Sequence, residues 1–258
     1  MLRSRHLRSL NDSRVPIDRS GAAPELFFPA DIPGLASESL FAYPEALMVR
    51  FSIFGIPVQV QPFFWVTLVI LGGALDATSA AAILEIGLFV VAGFISILIH
   101  ELGHALTARK FGAYSEITLQ AFGGYAAYSG VRLTRPQTFA VTAAGPGIQI
   151  LLGLALLFAL RSLPEMNRNA AYFLGTLMGI SLVWAVLNLL PVLPLDGGQM
   201  LNAVLGPPRI KVTLWVTIIV SIGVGLILYV IFHSILFSLF LGMFAWQAFQ
   251  TLRENRWH

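Results

Sequence analysis

Residues 81–99 read AAILEIGLFVVAGFISILI and run without a break into His100-Glu101-Leu102-Gly103-His104. A helix needs about 20 apolar residues to cross the hydrocarbon of a bilayer, and this run is long enough. On that helix His100 and His104 are four residues apart, so their imidazoles share one face and can grip a single ion. Glu101 lies beside the pair, where a carboxylate can take a proton from water activated by a metal. Three ionisable side chains at the end of a membrane-length segment are costly to bury and mark a functional site. The stretch implies a helical membrane protein with hydrolytic metal chemistry placed inside it.

Composition supports the membrane half of that reading independently. Of the 258 residues, 57% are hydrophobic and only 11% are charged, with a mean hydropathy of +0.78. A soluble domain of this size needs a far more polar surface. The chain has no cysteine, which excludes disulfides and a thiolate zinc site and leaves His, Asp and Glu as ligands. Nothing in the sequence points to a nucleic-acid partner.

Apolar windows predict a mostly α-helical, polytopic membrane protein with about six spans, near residues 62–77, 81–108, 138–160, 171–190, 212–232 and 235–249. The first is short and contains Gly72-Gly73. Only His233-Ser234 separates the last two, so one overlong helix is the alternative there. Arg109, Lys110, Arg132, Arg135, Arg209, Lys211, Arg253 and Arg256 fall on one side of a six-span layout, with the arginines that precede the first span. Arg161 and Arg168 fall on the other. The positive-inside rule then places both termini, and the His100/His104 end of the second span, towards the cytoplasm. Glu85 falls one turn into the second span, close to the opposite interface. Residues 1–47, with five prolines and interspersed arginines, read as an irregular tail before a single membrane domain at 48–258.

A zinc site with an open fourth position needs a third protein ligand. His6 and His258 lie in the terminal tails, and His233 falls at the far face. Asp196 follows the fourth span on the same side as His104, within Asn188-Leu-Leu-Pro-Val-Leu-Pro-Leu-Asp196-Gly-Gly. Pro191 and Pro194 stop the helix, and Gly197-Gly198 are expected to let the backbone turn tightly. A non-helical segment at membrane depth is tolerated where it is packed in protein or lines a polar cavity. Asp196 is the expected third ligand.

The pairing of H-E-x-x-H with N-x-x-P-x-x-x-L-D-G, here His100-Glu101-Leu102-Gly103-His104 with Asn188, Pro191, Leu195, Asp196 and Gly197, resembles the site-2 protease family of intramembrane zinc metalloproteases. The likeness extends from about Met48 onward. Ala144-Gly145-Pro146 is similar to a family motif, although Gln149 stands where asparagine is common. That departure is expected to bear on helix packing and not on the metal site. The resemblance implies one zinc per chain held by His100, His104 and Asp196, with Glu101 as general base and Asn188 as donor near the substrate oxyanion. It also implies a single-span membrane protein as substrate, cut in or near its transmembrane segment. The loop between the second and third spans is too short for a PDZ domain, so a core-only form is expected.

Glu116 to Phe122 alternates polar and apolar residues, and Tyr125 to Tyr128 follows Gly123-Gly124, which predicts a hairpin turning at the two glycines. Met48 to Val60 has strand character and can join it. In the family such a sheet lies beside the active site and receives unwound substrate on its edge, which makes Gln120, Gly123, Gly124 and Pro191 candidate substrate contacts. Two other classes compete. A catalytically silent zinc-binding scaffold or chaperone would be expected to lack Glu101, which is present. A zinc transporter would need acids or histidines in several spans, and the third, fifth and sixth offer none.

Overall fold

A computed structural model describes residues 48–162 and 166–254; the predicted tail, 1–47, lies outside the described residues. The chain opens with two strands, β1 (Val49–Ile53) and β2 (Ile56–Val60), followed by a short helix α1 (Pro62–Leu71) and the long helix α2 (Ala80–Lys110). Strands β3 (Tyr114–Gln120) and β4 (Gly123–Ser129) come next, and the elements described after them are helices. These helices are α3 (Arg135–Ser162), α4 (Arg168–Asn188), α5 (Asp196–Leu205), α6 (Ile210–Phe232) and α7 (Ile235–Glu254), with one 3-10 turn at Pro207–Arg209 before α6.

Among the described residues five helices, α2, α3, α4, α6 and α7, are long and apolar enough to cross a membrane. Their outward faces carry large apolar side chains such as Phe158, Leu226, Val230 and Ile231, as an integral multi-pass protein in lipid requires. The first expected span is a helix of only ten residues, about 15 Å long and roughly half the hydrocarbon thickness. It starts at Pro62 as expected but stops at Gly72, with Gly73 at φ +90°, which is what shortens it. α1 nevertheless lies along α2, with Phe64 edge-on to Phe94 at 6.3 Å and Leu68 tight against Gly93.

The last two expected spans are separate helices. His233 takes a left-handed conformation at φ +50° and closes α6, and α7 starts two residues later. Helix α2 extends further than its apolar run suggests. Ser79 caps it by accepting from the Ala82 N–H at 3.1 Å, and Arg109 and Lys110 sit in its last turn, where cations favour the helix dipole.

The four strands form one sheet in the order β1-β2-β3-β4, antiparallel at both outer pairs and parallel between β2 and β3. The parallel pair is joined by the α1–α2 crossover, as parallel strands require. Period-two alternation sets the faces. Ile56, Val58, Val60, Ile117 and Leu119 are buried against Phe64, Leu68, Ile97, Leu98, Leu102 and Ala105. The opposite face presents Arg50, Gln59, Glu116, Thr118 and Tyr125 around a polar cleft of about 320 Å³. The Ser115 hydroxyl donates to the Ala105 carbonyl at 3.1 Å, which ties β3 to the half of α2 that carries the histidines.

The hairpin turn differs from the expectation. It falls at Ala121–Phe122, because Gln120 pairs with Gly123 and Leu119 with Gly124. Both glycines are strand residues, and they are small because β4 runs tight against other elements. A Cβ on Gly123 would lie 3.1 Å from Trp184 Cζ2, and one on Gly124 would lie 2.8 Å from Glu101 Cγ.

Candidate metal centre

Two elements bring the expected ligands together. α2 supplies His100 and His104, whose Nε2 atoms lie 3.0 Å apart on one helix face. Asp196, the first residue of α5, places Oδ2 at 3.1 Å from His100 Nε2 and 3.4 Å from His104 Nε2. All three side chains are buried, and one ligand atom from each lies within 4.8 Å of the others. The i, i+4 spacing and the proline break thus converge as the sequence predicts.

The segment between α4 and α5 holds Asp196 in place. Residues 189–195 are non-helical, and Pro191 and Pro194 have no N–H to satisfy at that depth. The Leu193 N–H donates to Thr217 Oγ1 of α6 at 3.0 Å, and Gln199 Nε2 donates to the Pro194 carbonyl at 2.9 Å. Gly197 and Gly198 serve differently from the expected tight turn. They lie inside the first turn of α5, and a Cβ on either would overlap the backbone of residues 189–193. At the other end of α5, Arg135 of α3 donates from Nε to the Ala203 carbonyl at 2.8 Å and from Nη2 to the Val204 carbonyl. A cation thus caps the helix C-terminus.

Helix α3 closes the site from the other side. Ala144-Gly145-Pro146 lies where α2 and α3 are in tight contact. A Cβ on Gly103 would sit 2.7 Å from the Ala144 carbonyl oxygen, and one on Gly145 would overlap the His104 imidazole and come within 2.9 Å of His100 Nε2. The sequence marked Gly145 only as part of a motif, and its place against both imidazoles needed the fold. Val141, one turn earlier, accepts from His104 Nδ1 at 2.8 Å. Gln149, fully buried, contacts His100 Nδ1 at 2.9 Å through Oε1. The departure at Gln149 therefore bears on the metal centre and not on packing alone.

The donor set can be tested for a cation. A carbonyl oxygen only accepts, so His104 carries a proton on Nδ1, and in the neutral ring its Nε2 presents a bare lone pair. Among the described residues Asp196 Oδ2 is buried without a hydrogen-bond partner. Lone pairs crowded at 3.0–3.4 Å in a dry pocket repel, and an unsatisfied buried carboxylate oxygen is costly. A metal ion removes both penalties. Two imidazoles and a carboxylate are ligands that zinc accepts, with a position left open.

The other expected residues are distributed around this centre. Glu101 is buried and lies against Gly124 of β4. Asn188 ends α4, and its amide nitrogen donates to the Trp184 carbonyl at 3.0 Å, so it is not among the clustered ligands. Gln120, Gly123 and Gly124 line the end of the hairpin nearest Trp184 and Glu101, and Pro191 lies in the loop before Asp196. His233 caps α6 and takes no part in the cluster.

The model of peptidase family M50 matches residues 88–168 and 161–232, more than half of the chain and with both halves of the centre inside it. The chain belongs to peptidase family M50. A zinc metalloprotease of Methanocaldococcus jannaschii is 33% identical over 158 residues, 60% of this chain and 44% of that protein. A Synechocystis protein named as a zinc metalloprotease is 37% identical over 162 residues, 59% of this chain and 42% of that protein. The chain thus covers less than half the length of these M50 relatives. The solved site-2 protease from Methanocaldococcus jannaschii superposes with a TM-score of 0.57 at 26% identity, covering 79% of this chain and 94% of that one.

Proposed function

We propose that this chain is an intramembrane zinc metalloprotease that cuts a peptide bond in or near the transmembrane segment of a single-span membrane protein. The observation that carries the reading is the buried cluster of His100, His104 and Asp196, with an orphaned Asp196 Oδ2 and Glu101 one residue along the same helix. When bound, zinc supplies the Lewis acidity that polarises a carbonyl and makes water a nucleophile near neutral pH.

The chain's own residues do the rest. Glu101 takes the proton of the attacking water and delivers it to the departing amine, a transfer worth about 10²–10⁴ in rate. Asn188 keeps one N–H on Trp184 and has a second to offer a developing oxyanion. Among the described residues β4 pairs with β3 alone, so its other edge can take an unwound substrate strand by main-chain hydrogen bonding. The close approach of Gly124 to Glu101, which puts β4 beside the proposed general base, supports this reading. The end of the bundle carrying Arg109, Lys110, Arg132, Arg135, Arg209 and Lys211 faces the cytoplasm, and the centre lies towards it.

The test is cleavage of a loosely folded polypeptide by the purified protein in detergent. Cleavage that a chelator removes and zinc restores supports the proposal. Protein carrying about one zinc that cuts neither this polypeptide nor a membrane-spanning one would favour the silent zinc-binding scaffold instead.

A further inference from the structure

Behind His100 runs a buried chain of polar groups that crosses three helices. Gln149 of α3 is fully buried, and so are Ser96 of α2 and Ser181 of α4. Gln149 Nε2 donates to the Ser96 carbonyl at 3.1 Å and to Ser96 Oγ at 3.0 Å. Ser96 Oγ is joined in turn to Ser181 Oγ at 2.9 Å.

This network fixes the orientation of the amide. The Ser96 carbonyl can only accept, so the amide nitrogen must face it, and its two N–H groups are both used on Ser96. Oε1 is left facing His100 Nδ1 at 2.9 Å, and an oxygen there can only accept. The neutral His100 ring therefore carries its proton on Nδ1 and turns the lone pair of Nε2 towards His104 Nε2 and Asp196 Oδ2. An amide turned the other way would put N–H groups against Nδ1 and move the imidazole proton to Nε2, into the space where a cation must bind.

We propose that Gln149 is a positioning residue for the metal centre: through Oε1 it sets the tautomer and ring orientation of His100, and Ser96 and Ser181 hold it in register. The assignment rests on the zinc-site reading above. It also gives the hydroxyls of Ser96 and Ser181, which otherwise sit unexplained in apolar helices, a common purpose.

The test is zinc affinity of the full chain, measured by competition with a chromophoric chelator, with the ligand-field spectrum of the Co²⁺-loaded protein as a second readout. Gln149→Met keeps the size and removes the acceptor. Zinc binding should weaken by roughly 10–100-fold and the Co²⁺ bands should shift, as removal of a hydrogen bond behind a ligating histidine does elsewhere. Gln149→Glu keeps an acceptor facing Nδ1 and should recover most of the affinity. Ser96→Ala, a milder change that preserves packing, should cost about two- to tenfold. Wild-type affinity and spectrum in Gln149→Met, or in Ser96→Ala should the Met variant not fold, overturn the assignment. Equal weakening in the Met and Glu variants also overturns it, because the role would then be shape alone. A wild-type protein that takes up no zinc overturns the zinc reading itself, an outcome visible before any variant is compared.

Discussion

Replacing Gly145 by alanine should damage metal binding far more than it damages the fold. A Cβ at this position would overlap His104 Nε2 and Cε1 and lie 2.9 Å from His100 Nε2. Ordinary non-bonded contacts are about 3.5–4.0 Å, so the His104 ring must retreat by roughly 1 Å or more. Metal–ligand distances tolerate only about 0.2 Å of error. The ring has little room to tilt, because the Val141 carbonyl holds Nδ1 at 2.8 Å. Overpacking of this kind costs about 1–3 kcal/mol. Taken wholly from zinc binding, at 1.4 kcal/mol per decade, that is about 5- to 150-fold weaker affinity. Alanine's better helix propensity, about 1 kcal/mol over glycine, offsets part of the strain in the zinc-free protein and none of the lost coordination. The assay is zinc titration against a competing chelator beside thermal unfolding of the zinc-free protein. Wild-type zinc affinity in Gly145→Ala would refute the close α2–α3 contact on which the reasoning depends.

The remaining predictions concern the other elements that build the site. Asp196→Ala should lower zinc affinity by on the order of 100-fold or more, read as metal content after dialysis against micromolar zinc; full occupancy would place the third ligand elsewhere. Asn188→Ala should slow turnover by about 10²–10³ with zinc content unchanged, the signature of a lost oxyanion donor, and unaltered kinetics would remove that role. Arg135→Ala frees the two terminal carbonyls of α5. It should lower stability by about 1–3 kcal/mol in thermal unfolding and weaken zinc binding with it, since α5 carries Asp196. An effect on stability without one on zinc would show that Asp196 is held by the 189–195 loop alone.

The clustering of His100, His104 and Asp196 was legible in the sequence because its signals are local. Helical periodicity puts His100 beside His104, and Pro191, Pro194 and the following Asp196 announce a broken segment at membrane depth. The small sheet was legible for the same reason, through the alternation in 116–122 and the strand character of 48–60. What was hidden depends on contacts between elements. Gly123 and Gly124 look like a turn, yet they are strand residues thinned to pass Trp184 and Glu101. Gly197 and Gly198 look like a tight turn, yet they are the first turn of a helix pressed on the preceding loop. The short α1 reads as a span because hydropathy registers the apolar residues of 62–77 but not where Gly72 and Gly73 end the helix. Gln149, Ser96 and Ser181 come from three separate helices, and no spacing within one segment brings them together.

The most direct test of the account compares wild type with Glu101→Gln at matched zinc content, using one membrane-spanning substrate under single-turnover conditions. About one zinc per chain in both proteins, with cleavage by the wild type alone, is the predicted result, because the glutamine keeps the shape of the site and cannot take a proton from water. Cleavage by zinc-loaded Glu101→Gln at the wild-type rate would contradict it.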